Sequence, residues 1–276
     1  MTRGSDQGRL RPAPSSVGAG KQRRMRRLFR EDGRTLMVAL DHALVTGRGP
    51  GYAREVAAVA AARPDAVLVT WHMARSGAGL FAQSGLVLRL DGGMTDLGTG
   101  QAGDVSATLY SVEDALAMGA DAVIVLAYPG RHDEHHSLRR LAALCARCEQ
   151  FGLPVVAEAI PGGWGQEIPW TVDSVARAAR ITAELGADVV KTICPGEPSD
   201  FAAVVEACPV PVVALGGPPV ESEDAVIELA RGVVRAGAAG IAFGRNVWGA
   251  ADPATMVRRL EEAVHCDGSA AAVDHG

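Results

Sequence analysis

The chain has 276 residues, which suits two small domains or one large barrel of about 250 residues. Hydrophobic residues make up 48% and charged residues 21%, an ordinary globular mix that excludes a disordered or fibrous chain. The formal charge of -5 excludes the field that gathers a polyanion, so no nucleic acid is expected as a partner.

Residues 1–20 carry Arg3, Asp6, Arg9 and Arg11 among Gly, Pro and Ser, without periodicity, and predict a disordered tail rather than a signal core. Residues 21–30 hold six basic side chains with Met25, Leu28 and Phe29 at helical spacing, which predicts a short helix with a solvated basic face. From Leu36 onward, short apolar runs alternate with helical patterns. The predicted strands are 36–41, 66–71, 86–91, 122–127, 155–159, 189–193, 212–215 and 241–244. Their apolar residues run without alternation, as in parallel strands buried on both faces. The predicted helices are 52–62, 73–83, 112–118, 137–151, 172–185, 200–207, 222–236 and 253–264. Eight βα units in a chain of this length predict an α/β fold, a single TIM (β/α)8 barrel over residues 21–266, with 267–276 as a second tail. Gly119, Gly186 and Gly237 each stand where a helix gives way to a strand, at distances of whole βα units, so no short-period repeat array is expected. A dinucleotide-binding sheet would need a glycine-rich turn after the first strand, where this chain has Asp41-His42-Ala43.

No window offers 18 uncharged apolar residues, so no membrane partner is expected and the compartment is read as cytoplasmic. The five cysteines, an odd number, fit unpaired thiols in a reducing compartment, and the Cys145/Cys148 pair falls within a helical pattern that buries it. No cofactor is expected.

Of the 27 basic residues only Lys21 and Lys191 are lysine. Arginine serves as a surface cation as well as lysine does, but it cannot supply a neutral amine, so Lys191 stands out before any motif is considered. It lies in the apolar run Val189-Val190-Lys191-Thr192, and burial disfavours the charged form of an amine, which is how a Schiff-base lysine is prepared. Barrel chemistry sits at the C-terminal ends of strands, which nominates Asp41, His42, Trp71, His72, Asp91, Tyr128 and Glu158 beside Lys191. Asp41 and Glu158 are the candidate proton carriers; His42 and Asp91 are candidate substrate contacts. Gly216 and Gly217 after the seventh strand, with Gly244 and Arg245 after the eighth, occupy the usual phosphate-binding loops of a barrel. A phosphorylated substrate is therefore implied, and an iminium from Lys191 and a ketone would be an electron sink for making or breaking a carbon–carbon bond. Trp164 and Trp170 lie in a glycine-rich loop that would cover the barrel mouth. Gly18-Ala19-Gly20-Lys21-Gln22 lacks the Ser or Thr of a phosphate-binding loop. A rival reading uses His132, His135 and His136, with His42 or His72, as metal ligands for a metal-dependent aldolase or isomerase. A third keeps only the phosphate loops, as a non-catalytic sugar-phosphate binder.

Asp41-His42, Val189-Val-Lys-Thr, Pro209-Val-Pro-Val-Val with Gly216-Gly-Pro, and Gly237-Ala-Ala-Gly-Ile-Ala-Phe-Gly-Arg-Asn-Val-Trp resemble the archaeal-type class I fructose-bisphosphate aldolases. That family includes 2-amino-3,7-dideoxy-D-threo-hept-6-ulosonate synthase, the autoinducer-2 aldolase or thiolase, and the aldolase of the aminohydroxybenzoate route. The resemblance implies a Schiff base at Lys191, a proton-handling Asp41, phosphate held by the Gly216-Gly217 and Gly244-Arg245 loops, and a homo-oligomer, often a decamer of five-fold rings. It also implies that residues 23–30 form a lead-in helix. Where the family carries Tyr-Pro-Arg-Gly, this chain has Ile160-Pro161-Gly162-Gly163, so the proton-moving phenol is missing. Glu158, Tyr128 and His72 are its candidate replacements. The resemblance with this departure implies a biosynthetic aldolase or acyl-transfer reaction rather than glycolytic cleavage, with a phosphorylated ketose and an aldehyde acceptor as expected partners and Arg48, Arg75 or Arg131 available for an acceptor carboxylate.

Overall fold

The computed structural model describes residues 18–47, 52–93, 95–98, 107–218, 220 and 222–266. Eight parallel strands close into a barrel in sequential order: β1 (Thr35–Ala39), β2 (Ala66–Val69), β3 (Gly85–Arg89), β4 (Ala122–Ala127), β5 (Val155–Ala159), β6 (Val189–Thr192), β7 (Val212–Leu215) and β8 (Gly240–Phe243). Closure comes from β8 pairing back onto β1, with Leu36 opposite Ile241 and Val38 opposite Phe243.

The helices between strands start where the sequence supplies a cap. The side chains of Ser111, Thr171 and Ser222 accept from the backbone amides of Asp114, Ser174 and Ala225, and Asp252 accepts from those of Ala254 and Thr255. They end where glycine permits the turn back: Gly119, Gly186 and Gly237 all adopt positive φ.

Alternation along each strand sorts side chains into two layers. Leu36, Val38, Val67, Val123 and Val190 face the helices, while Met37, Leu68, Val87, Ile124, Val156, Val189 and Val213 fill the barrel interior together with Leu28. Two residues further along β3, β5 and β6, the same inward parity brings Arg89, Glu158 and Lys191 into the layer above this apolar plug.

Leu28 belongs to the helix Ala19–Leu28, which seats against the bottom of the barrel. Its arginines Arg23, Arg26 and Arg27 are exposed, as a solvated basic face requires, but three cations of the segment also make ion pairs with the barrel. Lys21 pairs with Asp188 at 2.9 Å, Arg27 with Asp121 at 2.8 Å, and Arg30, just past the helix, with Asp65 at 2.5 Å. Each of these aspartates also accepts a backbone amide from an adjoining strand, those of Val155, Leu86 and Leu36. The segment is thus clamped to three strand starts, which adds a docking role to the exposed basic face expected from sequence. Of the predicted tails, residues 1–17 and 267–276 lie outside the described residues, and Ala19 and Gly20 already belong to the helix.

Two further differences matter for the site. The predicted helix 73–83 runs only from Trp71 to Ser76. At Gly77, which ends it, an added Cβ would lie 2.8 Å from the Met73 carbonyl and 2.6 Å from the Phe81 ring. β3 ends at Arg89, and Asp91–Gly92 instead pairs antiparallel with Ala107–Thr108 beside the barrel mouth. Among the described residues no helix is long and apolar enough to cross a membrane.

Candidate active site

The C-terminal ends of the strands surround a cavity of about 570 Å³. Nine of the residues nominated from sequence, Asp41, His42, Asp91, Glu158, Lys191, Gly216, Gly217, Gly244 and Arg245, line it. Leu44, Thr46, Trp164, Gln166 and Trp170 complete the wall nearest solvent.

Glu158 and Lys191 are register partners on β5 and β6, and Lys191 Nζ donates to Glu158 Oε1 at 2.7 Å. Both are buried. The other carboxylate oxygen of Glu158 accepts from Arg89. That guanidinium also donates to Asp41 at 2.8 Å through Nε and to Asp91 at 3.3 Å. Asp91 is fully enclosed, and its second oxygen accepts the Leu126 amide at 2.8 Å and Arg140 at 3.3 Å. Burial pushes the Glu158 carboxyl up, but the charges of Lys191 and Arg89, with a hydrogen bond from each, outweigh it and hold it down at about 2. Asp41 is the most open of the three carboxylates, with 16% of its side chain exposed against 6% for Glu158 and none for Asp91.

Asp41 and His42 owe their position to the exit of β1. Trp248 Nε1 donates to the Ala39 carbonyl at 3.1 Å and the Tyr52 hydroxyl to that of Leu40 at 2.5 Å. The Trp248 ring lies 6.0 Å from the His42 ring and 5.4 Å from that of Tyr52. On the far wall, Asn246 Nδ2 donates to the carbonyls of Gly216 and Pro218 at 2.8 and 3.2 Å, and Arg245 to that of Gly217 at 2.9 Å. These bonds lock the two loops together. A Cβ at Gly216 would sit 3.0 Å from the Phe243 ring and one at Gly244 2.9 Å from the Ala39 carbonyl, so both loops need glycine for close packing. Such a cradle, a glycine turn with a neighbouring guanidinium, suits a phosphate group.

The loop after β5 carries Ile160-Pro161-Gly162-Gly163, where the resemblance leads one to expect a tyrosine. Ile160 is fully buried. Gly162 and Gly163 take positive φ, and a Cβ at Gly162 would meet the Ile168 amide at 2.6 Å. Trp170 Nε1 donates to the Pro161 carbonyl at 2.9 Å, and the Trp164 and Trp170 rings meet edge to face at 6.1 Å. No phenol comes from this segment.

Other nominated residues stand elsewhere. Tyr128 lines a separate outer groove of about 900 Å³, with Arg131 and Arg140, and does not line the cavity that holds Lys191. Burial, then Asp91 and Glu158, push its hydroxyl above the ordinary tyrosine value. His72 is exposed on the helix Trp71–Ser76 and lines a neighbouring pocket. Arg75 is exposed on the same helix, Arg131 pairs with Asp133 at 3.0 Å in the outer groove, and Arg48 lies outside the described residues. Of the histidine cluster, His132 is bound to Glu167 at 2.7 Å while the rings of His135 and His136 pack on each other, and among the described residues no group of three His, Cys, Asp or Glu side chains is arranged to hold a metal ion. The thiols of Cys145 and Cys148 are buried and pushed up to about 12 by that burial. Arg89 was not among the nominated residues. A charged side chain of inward parity in the run Leu86-Val-Leu-Arg-Leu-Asp was the available signal.

The profile of the DeoC/LacD family of aldolases matches residues 35–250, well over half of the chain. The chain belongs to that family. Among relatives of this chain, 2-amino-4,5-dihydroxy-6-oxo-7-(phosphonooxy)heptanoate synthase of Streptomyces griseus is 38% identical over 159 residues, 58% of either chain. Fructose-bisphosphate aldolase class 1 of Thermoproteus tenax is 41% identical over 182 residues, 65% of this chain and 68% of the relative. The match thus spans under two thirds of the length of the Streptomyces protein. A structure of a Schiff-base-forming fructose-1,6-bisphosphate aldolase superposes with a TM-score of 0.79 at 33% identity, covering 89% of this chain and all of the other. An archaeal fructose-1,6-bisphosphate aldolase with its catalytic lysine covalently bound to the carbinolamine intermediate superposes at 0.77 with 32% identity, covering 88% of this chain and 99% of the other.

Proposed function

We propose that this aldolase works through a Schiff base on Lys191, joining a phosphorylated ketose such as dihydroxyacetone phosphate to a short aldehyde in a biosynthetic reaction. The observation that carries the reading is that Lys191, held by Glu158 at 2.7 Å, shares one cavity with the Gly216-Gly217 and Gly244-Arg245 cradle. The product named for the Streptomyces relative supports the direction. It has a hydroxyl beside a 5-hydroxy-6-oxo-7-phosphonooxy end, and opening its C4–C5 bond leaves a three-carbon ketose phosphate and a four-carbon aldehyde.

In this mechanism the phosphate enters the glycine cradle against Arg245 and the ketone carbonyl faces Lys191. Ammonium and ketone become a protonated iminium and water with no net proton change, so a shuttle suffices. Glu158 takes a proton from the Lys191 ammonium, the free amine attacks the carbonyl carbon, and the amine nitrogen's second proton and the one on Glu158 leave with the carbonyl oxygen as water, one proton remaining on the iminium. Asp41, at the open end of the cavity, then removes a proton from the adjacent carbon. The electron pair moves into the iminium and returns to form the new bond to the aldehyde carbon, whose oxygen takes the proton from Asp41. His42 and Asp91 flank this space, Asp91 through Arg89.

Steady-state assays with dihydroxyacetone phosphate and a panel of short aldehydes test the reading, with Lys191→Met as control. Condensation by the wild type that is abolished in the variant is expected. Undiminished condensation by Lys191→Met, or activity silenced by a chelator, would contradict it. The same reading carries a homo-oligomer, a decamer in the family arrangement, which sedimentation at micromolar concentration measures. A cytoplasmic setting agrees with five cysteines that stand as thiols.

A further inference from the structure

The family phenol is replaced by buried Ile160, and three carboxylates converge instead on Arg89, a guanidinium that the mechanism above leaves without a task. Glu158, on β5, and Asp41, two residues past the end of β1, are the two proposed proton carriers, and each is held by this one side chain. Its third arm rests on Asp91, which is itself fixed to the barrel wall by the Leu126 amide and Arg140. Arg140 in turn donates to the Leu126 carbonyl at 2.8 Å. Arginine does not exchange its proton near neutrality, so Arg89 is a fixed cation of rigid, planar geometry rather than an acid or base.

We infer that Arg89 is the positioning residue of this site, one buried guanidinium, anchored by Asp91 and Arg140, that holds Glu158 against Lys191 and Asp41 at the cavity mouth so that both proton carriers stay aligned. The inference rests on the Schiff-base reading and gives the charge cluster its place in it. With Lys191 as ammonium or iminium, three cations (Arg89, Arg140, Lys191) meet three anions (Asp41, Asp91, Glu158). The cluster is neutral in both charged states of the cycle, and the iminium inherits the same anion that held the ammonium. Around Glu158 the facing groups are Lys191 from β6, Arg89 from β3, and the Tyr128 hydroxyl after β4, with Asp41 and Asp91 on the far side of Arg89. Arg89 and Lys191 together keep the Glu158 carboxyl ionised against its burial.

A neutral side chain at position 89 therefore does two things that mere loss of packing does not. It lets Glu158 hold its proton at higher pH, and it frees Asp41 from its anchor. The test is the rate of borohydride-trapped adduct formation with dihydroxyacetone phosphate across the pH range, for the wild type, Arg89→Gln, Arg89→Lys and Glu158→Gln. In Arg89→Gln we expect the acid limb of the profile to move up by about one pH unit or more and the plateau to fall by about 10- to 100-fold, the scale of general acid–base help. Arg89→Lys keeps the cation without the fork, so it restores the acid limb while the plateau stays about tenfold low. Donor KM moves little in both, because the phosphate cradle is separate. An acid limb unchanged in Arg89→Gln would overturn the inference. Should that variant not fold, Arg89→Lys decides, since a wild-type plateau there would overturn it as well. Wild-type protein that gives no adduct on Lys191 would instead sink the Schiff-base reading, and this inference with it.

Discussion

Glu158→Gln keeps the shape of the side chain and removes one negative charge from between two cations. In the folded chain one carboxylate oxygen accepts from Lys191 at 2.7 Å and the other from Arg89, with all three groups buried. Removing one partner of a buried pair costs about 3–5 kcal/mol. Lys191 can shed its proton to escape an unpaired charge, and Arg89 keeps Asp41 and Asp91, so the lower end, about 3 kcal/mol, is the expected loss. Guanidinium denaturation measures it as a lower midpoint at unchanged slope. The pH dependence has a definite sign. Because the folded carboxyl is held at about 2 against an ordinary 4.5, its stabilisation is present above 4.5 and is lost as pH falls towards 2. The glutamine variant lacks that component. In turnover, loss of the proton shuttle predicts a fall of about 100-fold, read from dihydroxyacetone phosphate consumption with an aldehyde acceptor. A variant that folds and turns over within about threefold of wild type would refute the shuttle.

Arg245→Ala removes the cradle's guanidinium; a lost charged hydrogen bond of about 1.5–3 kcal/mol predicts a rise of about tenfold or more in KM for dihydroxyacetone phosphate, with kcat/KM for unphosphorylated dihydroxyacetone unchanged. His265 bridges Asp32 and Asp65 at 2.7 and 2.8 Å, tying the last helix to the start of the barrel. Burial alone would lower its pKa, but hydrogen bonds to Asp65 and Asp32 raise it above 6.5. Its stabilisation is therefore complete below pH 6.5 and lost as pH rises through the folded value, so the Tm difference between wild type and His265→Gln should shrink towards alkaline pH. A constant difference would contradict this latch. Cys145 and Cys148, pushed up to about 12, should resist a thiol reagent at neutral pH while exposed Cys266 reacts at once. Fast reaction at all sites would show a looser core.

The barrel was legible because burial on both faces leaves continuous apolar runs, and β4, β5 and β7 occur with the predicted bounds. Glu158 and Lys191 were visible as charges inside such runs, and the parity that makes them neighbours follows from the strand period. Arg89 carried the same signal, but the arginine-rich composition hid it, since one cation among 25 arginines does not stand out as one of two lysines does. Long-range pairing explains the other misses. Nothing local tells that Lys21 meets Asp188, or that Asp91 turns away from β3 to pair with Thr108. Nor does spacing reveal that Tyr128 lines the groove of Arg131 and Arg140 while its hydroxyl stands within reach of the charges of Asp91 and Glu158.

The most direct measurement is borohydride reduction in the presence of dihydroxyacetone phosphate, with and without chelator, followed by peptide mass mapping. With only Lys21 and Lys191 available, and Lys21 bound to Asp188 at the barrel bottom, the two outcomes are unmistakable. The account predicts a reduced adduct on the peptide containing Lys191 that persists with chelator. An unmodified Lys191 in protein that condenses the same substrates would contradict it.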